Sequence, residues 1–262
     1  MATKLPLISN SSGSADSYYP SPLHEEALAR LSYLAEKGSA CGLLLGASGC
    51  GKSLILSKFA QHQRKQGAAI ATVSAVGASV SGMLVEIGSG WGVNVHHSDE
   101  LPQLWQRTTD RLRELFLEQV SAVLIVDDLH RALPESAALV DRLHAFADGN
   151  ATNLVLVIAC EAGRQDSLNS RILSRADLRI ELDLWTLEET AGYLQQWLLQ
   201  SSAENQEFDN QAVEVLHELA EGNPRRVRQL AELTLLAGSG MRNGPVREDV
   251  VQAAYDELCV GR

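Results

Sequence analysis

Eight consecutive residues constrain this chain more than any others: Gly46-Ala47-Ser48-Gly49-Cys50-Gly51-Lys52-Ser53, preceded by the apolar run at 41–45. A strand that ends in glycines and passes straight into a helix turns backbone N–H groups toward one point, where the start of the helix adds its positive dipole end. The spacing G-x-x-x-x-G-K-[ST] suits a bound polyphosphate, with the lysine reaching the β- and γ-phosphates and the hydroxyl residue ligating magnesium. At glycine's ordinary abundance of ~7%, a chance match in a chain this long has a probability of about one in a hundred. The pattern predicts that ATP is held by Gly46, Ala47, Ser48, Gly49, Cys50, Gly51, Lys52, Ser53 and Leu54, with Mg2+ on Ser53. Cys50 is read as an inert small residue of the loop rather than a redox-sensitive thiol.

A second apolar run, Ala122-Val123-Leu124-Ile125-Val126, ends in Asp127-Asp128 about 70 residues further on. An acid at the tip of such a strand stands beside the phosphate loop. Asp127 is therefore expected to hold magnesium, directly or through water, and Asp128 to orient or deprotonate the attacking water.

The same two-part logic organises the whole first half. Strand-like runs (41–45, 68–74, 122–126, 154–159, 178–182), of which 122–126 and 154–159 are fully apolar, alternate with helical periodicity at 23–37, 52–66, 79–88, 99–119 and 134–148. Strands of that kind need cover on both faces, so a parallel sheet between helix layers is predicted, an α/β core. After Trp185 no strand signal remains, and four segments (187–199, 210–221, 225–237, 247–259) read as a helical bundle. The expected domains are a flexible leader at 1–22, rich in Ser, Gly, Pro and Tyr, a core at 23–184 and a helical lid at 185–262. Polar linkers are expected at 201–207 and 238–244.

Net charge narrows the partners. At −11 over 262 residues, strong nonspecific binding to nucleic acid is disfavoured, because phosphate neutralisation calls for a basic surface. No apolar run approaches the ~20 residues that cross a bilayer, and the first residues lack a cationic-then-apolar signal pattern. A cytoplasmic location without membrane insertion is expected. Cys41, Cys50, Cys160 and Cys259 are widely spaced and contain no C-x-x-C pair, which argues for reduced thiols rather than zinc or disulfides. His96-His97 lacks a surrounding carboxylate cluster, and His24-Glu25-Glu26 lacks the second histidine of a zinc-protease helix.

Two arginine positions stand out beside the loop. Ser174-Arg175 precedes the last strand, and Gly222-Asn223-Pro224-Arg225-Arg226 opens a helix. Transfer of a γ-phosphoryl group needs positive charge around the developing anion, which raises both above ordinary surface arginines. The helices flanking Gly222 also have the look of a helix-turn-helix with Arg225, Arg226 and Arg228 on the second helix. Glu214, Glu218 and Glu221 on the first would face phosphates badly, so DNA is a less favoured partner.

Taken in order, loop, acid-tipped strand, Ser-Arg before the last strand and helical segment opening with Gly-x-Pro-Arg, these marks resemble the AAA+ ATPases. Within that group the chain is similar to general-secretion-pathway A-type (ExeA-like) ATPases and transposition helper ATPases. Tyr19-Pro20-Ser21-Pro22-Leu23-His24-Glu25-Glu26-Ala27-Leu28, Leu187-Glu188-Glu189-Thr190 and Leu219-Ala220-Glu221-Gly222-Asn223-Pro224-Arg225-Arg226 carry that likeness. It implies a P-loop core with a five-stranded parallel sheet in the order 5-1-4-3-2 plus a C-terminal helical lid, with ATP between core and lid. It implies Arg175 as an arginine finger on a neighbouring subunit's ATP and Arg225 as a second sensor. Tyr18 and Tyr19 fall where the family lays its leader over the adenine. It also implies self-association into a ring or other ATP-dependent oligomer acting on a protein partner.

The chain departs from that pattern twice. Asp128 stands where the family has Glu, shorter by one methylene, or about 1.5 Å; an Asp-Asp pair resembles instead the STAND signalling ATPases. The polar first-sensor position at the end of the 154–159 strand falls on Cys160 or Glu161. An ATP-hydrolysing motor or switch in secretion, envelope assembly or transposition is therefore the leading expectation. A slow nucleotide-gated switch and a DNA-bound recombination helper are the alternatives.

Overall fold

Proline-marked and side-chain-capped helix starts punctuate the chain. The computed structural model describes residues 18–165, 168, 170–200, 207–238 and 245–260. The expected leader through residue 17, most of both expected linkers and the side chain of Cys259 lie outside the described residues. Two compact units form: Ser21–Trp185 with Asn223–Arg226, and Thr186–Gly222 with Val227 onward and, at the N-terminal side, residues 18–20.

The larger unit is a five-stranded parallel sheet of β1 (Ala40–Gly46), β2 (Ala69–Ser74), β3 (Ala122–Asp127), β4 (Leu154–Glu161) and β5 (Leu178–Leu182). The strand order is β2-β3-β4-β1-β5, the expected one. Every residue of β1 is buried, and β4 is buried until its last residue. Alternate residues of β1, β2, β3 and β4 enter different cores, while β5 buries Ile180 and Leu182 in one. Leu43, Leu45, Val73, Leu124, Leu156 and Ile158 pack under α3 (Val80–Gly90), α4 (Leu101–Leu117) and α5 (Pro134–Asp148). Leu44, Ile70, Val123, Val157 and Ile180 pack under α1 (Pro22–Glu36) and α2 (Lys52–Lys65). Burial on both faces is what unalternated apolar strands require.

Local chemistry fixes where the helices begin. Ser21 caps α1 by accepting from His24 N, and Ser79 caps α3 through Gly82 N, each satisfying an otherwise orphaned N–H. Pro22, Pro102 and Pro134 occupy the first turns of α1, α4 and α5, where a missing N–H costs nothing. A short helix, α6 (Ser170–Arg175), was not expected from sequence; six residues are too few to display a helical period.

The smaller unit holds α7 (Leu187–Gln200), α8 (Asn210–Ala220), all but the first turn of α9 (Pro224–Gly238) and α10 (Glu248–Val260). Thr190, Leu194, Leu216, Ala220, Leu230, Ala231 and Val251 are buried in it. A single parallel bridge, Phe208 to Val246, ties the chain before α8 to the chain before α10. Asn223–Arg226 groups with the sheet although chain order puts it among these helices. No helix among the described residues is long and apolar enough to cross a membrane.

Candidate functional site

The phosphate loop leaves β1 at Gly46, which pairs with Glu161 of β4 on one side and Leu182 of β5 on the other. Gly49 (φ +87°) and Gly51 (φ +106°) take the left-handed backbone that brings the chain round into α2. Space alone would demand glycine at both. A Cβ at Gly51 would stand 2.7 Å from His24 Nε2, and one at Gly49 would stand 2.6 Å from Asn223 Oδ1.

Lys52, the first residue of α2, is only 7% exposed. Its ammonium donates to Gly46 O at 2.8 Å and Ala47 O at 2.9 Å, and no carboxylate pairs with it among the described residues. A cation withdrawn from water and given only carbonyl dipoles is a costly arrangement unless an anion completes it. Ser53 Oγ donates to Asp127 Oδ2 at 2.6 Å, so the hydroxyl of the loop and the acid of β3 meet. Both offer hard oxygen donors, the set that magnesium takes, and Ser53 and Asp127 would hold that ion. Asp127 Oδ1 accepts from Asp128 N at 2.9 Å, which turns Asp128 into the left-handed region at φ +53°.

Between the acid pair and the loop stands the tip of β4. Cys160 is fully buried and burial pushes its thiol up to about 11, with the Lys52 charge opposing. Glu161 is half-buried. Its N–H donates to His130 Nδ1 at 3.3 Å, and its Oε2 lies 3.3 Å from His130 Nε2 without hydrogen-bond alignment. The His130 side chain is 2% exposed and its Nδ1 is 4.0 Å from Asp128 Oδ1. Arg164 Nε is 3.3 Å from Glu161 Oε2. His130, in the turn after the acid pair, thus stands between Asp128 and the tip of β4.

Arg225 reaches the loop as well: its backbone N donates to Gly49 O at 3.3 Å, while its side chain is exposed. Cys50 is fully buried; burial raises its thiol, against the lowering influence of Lys52 and Arg225, in keeping with an inert loop residue. Arg175 is placed elsewhere. Its guanidinium pairs with Asp148 at the end of α5. Two residues on, Asp177 closes the start of β1, accepting from Cys41 N and donating to Cys41 O, both at 2.8 Å. Cys41 and Gly46 are separated by about 17 Å at ~3.3 Å per strand residue, so Arg175 stands at the opposite end of the sheet from the loop. Tyr19 belongs to the helical unit, where its hydroxyl abuts Gly192 and its ring meets Tyr193 edge-on at 6.1 Å.

Two loop partners carry no signal in the sequence reading. His24 Nε2 lies 3.0 Å from Cys50 O, and Asn223 Nδ2 donates to Ser48 O at 2.8 Å. Each is one side chain reaching one backbone carbonyl; the buried start of α1 and the cap-forming Asn of Gly-Asn-Pro-Arg were the only hints on offer.

Comparison with known proteins agrees with this geometry. A family model described as an AAA domain matches residues 35–165, half of the chain. The fold is similar to that of the Aeropyrum pernix ORC1 protein solved in complex with DNA (TM-score 0.70, 20% identity, covering 93% of this chain and 67% of that one). It is similar also to Aeropyrum pernix ORC2 in ADPNP–ADP complexes (TM-score 0.65, 17% identity, 93% and 71%). The Thermotoga maritima RuvB Holliday junction branch migration motor matches with TM-score 0.57 and 18% identity over 89% of this chain and 69% of that one. A search of curated protein sequences returned no match.

Proposed function

Because this chain belongs to the AAA domain family, we propose that it is an AAA+ ATPase that binds ATP with Mg2+ on the Gly46–Ser53 loop and hydrolyses it as an oligomer. The observation that carries the reading is Lys52, a buried ammonium with only carbonyl partners among the described residues, followed directly by the hydroxyl of a hydroxyl–carboxylate pair. Lys52 neutralises the β- and γ-phosphates, and the start of α2 adds its dipole. Magnesium on Ser53 and Asp127 supplies Lewis acidity toward the phosphoryl oxygens. Asp128 orients or deprotonates the attacking water, and Glu161, rather than the fully buried Cys160, serves as first sensor through His130. Arg225 contributes positive charge from the chain's own lid segment. Arg175 serves another copy's nucleotide, since the sheet separates it from its own loop.

The oligomer acts as a motor or switch on a protein partner, in secretion, envelope assembly or transposition. The short reach of Asp128 favours a second reading, a slow nucleotide-gated switch. A DNA-bound helper is less supported: Arg228 is committed to Glu232 at 2.8 Å, and the chain carries a net charge of −11. ATP turnover per subunit, measured over a range of protein concentrations, tests the reading. Turnover that rises with concentration supports a shared site. Binding without turnover at any concentration leaves the switch, and no binding removes both.

A further inference from the structure

Resting on the nucleotide reading above, we propose that His24 and Asn223 are positioning residues of the phosphate loop, side-chain latches that hold two of its peptide planes in the anion-binding orientation. A carbonyl can only accept, so His24 carries its proton on Nε2 and donates it to Cys50 O, at 3.0 Å and in a buried setting. Its other ring nitrogen, Nδ1, is buried and has no hydrogen-bond partner among the described residues. The ring, which also stands 6.2 Å from the Trp185 ring, therefore makes one hydrogen bond among the described residues, and that bond is with the loop. Asn223 uses both ends of its amide: Nδ2 donates to Ser48 O at 2.8 Å, while Oδ1 accepts from Arg225 N at 3.1 Å. Asn223 is 9% exposed and His24 3%.

The planarity of the peptide makes these contacts matter. In a trans peptide the C=O and the following N–H point in opposite directions. Holding Cys50 O against His24 turns Gly51 N–H the other way, and holding Ser48 O against Asn223 turns Gly49 N–H the other way. Arg225 N does the same for the intervening plane through Gly49 O, although the Cys50 N–H then closes on Ala47 O at 3.3 Å. Successive N–H groups facing one side form an anion nest.

The loop needs such latches because of its own glycines. A peptide plane that precedes glycine flips at little conformational cost, since glycine accepts both signs of φ. A flipped Cys50–Gly51 or Ser48–Gly49 plane would aim a carbonyl oxygen at the phosphates. The residues that make the loop able to curl thus also make it able to present the wrong pole, and His24 and Asn223 remove that second option.

The test is Mg-ADP binding by calorimetry together with steady-state ATP hydrolysis, for wild type, His24→Leu, His24→Gln, His24→Asn and Asn223→Asp. Glutamine places an amide N–H about where Nε2 lies; asparagine carries the same group but falls short of Cys50 O. Asn223→Asp keeps the oxygen that caps Arg225 N and loses the donor to Ser48 O. Loss of one neutral hydrogen bond that orders the loop should weaken Mg-ADP by roughly tenfold in His24→Leu and His24→Asn. KM should rise in proportion while kcat stays within about twofold, the pattern of lost uniform binding. His24→Gln should recover most of the affinity, and Asn223→Asp should lose at least as much as His24→Leu. Equal binding by His24→Leu and wild type overturns the latch. So does a fall in kcat at constant KM, or failure of glutamine to do better than leucine, since each assigns His24 a packing role only. If wild type itself binds no Mg-ADP, the nucleotide reading falls and the latch falls with it.

Discussion

The two ends of the same five strands do opposite things. At the C-terminal ends, Gly46, Asp127 and Glu161 open into a loop, an acid pair and a polar tip, beside the buried Lys52 ammonium. At the N-terminal ends, Asp177 seals β1 through Cys41 and Asp148 holds Arg175. Parallel strands make this asymmetry inevitable. Every strand points the same way, so helix starts gather at one end of the sheet and helix C-termini at the other, and anions are welcome only at the first. On the proposed reading, one end binds a nucleotide and the other offers Arg175 to another copy's.

That contrast is most sharply broken by mixing. Lys52→Ala removes the cation from one end and Arg175→Ala removes the arginine from the other. Each variant alone should lose ATP turnover by about a thousandfold if the arginine acts as a finger. Mixed in equal amounts, the two should regain a measurable share, because an intact loop can then face an intact arginine. Recovery absent at every ratio would mean that the two ends never meet. Next in size, Asp127→Asn should lower turnover by about a hundredfold through loss of charge at the magnesium position. Binding of ADP in the presence of a chelator should be unchanged, which separates the metal role from loop folding.

The smallest effect concerns the sealed end. Burial, reinforced by Asp177 and Asp148, raises the Cys41 thiol to about 12, and burial raises Tyr193 to about 12 in the helical unit. A group whose folded pKa lies above its unfolded value binds protons more tightly when folded. Its contribution is therefore complete below pH ~9 and is lost as pH rises from ~9 toward ~12. Urea midpoints should fall across that window. At pH 8, Cys41, Cys50 and Cys160 should resist alkylation in the native protein and react once it unfolds. Rapid native labelling of Cys50 would show that the loop opens.

What could be read in the sequence was what backbone chemistry dictates. The loop glycines, Lys52, Ser53 and Asp127 announce themselves because each type is needed at a fixed step along the chain, and strand order followed once the resemblance was set. His24, Asn223 and His130 were not legible as site residues, since a side chain that reaches a carbonyl across space imposes no spacing on its neighbours. Arg175 and Arg225 read alike as candidate cations, and only the fold separates them: the backbone of Arg225 meets the loop, while Arg175 lies at the other end of the sheet. The grouping of Asn223–Arg226 with the core was hidden for the same reason: order along a chain does not report who packs with whom.

The pairing of β1 has a consequence for how the molecule is made. β1 pairs only with β4 and β5, and β2 only with β3. A ribosome that has delivered the chain through Leu117 has released β1 and β2, and neither yet has a partner. Between Gly46 and Leu154 translation takes roughly 5–20 s at ~5–20 residues per second. Throughout that interval an apolar strand destined for complete burial is exposed to chaperones and to other nascent chains. The loop residues are among the first of the core to be synthesised, yet their supporting strand is seated only when β4 arrives.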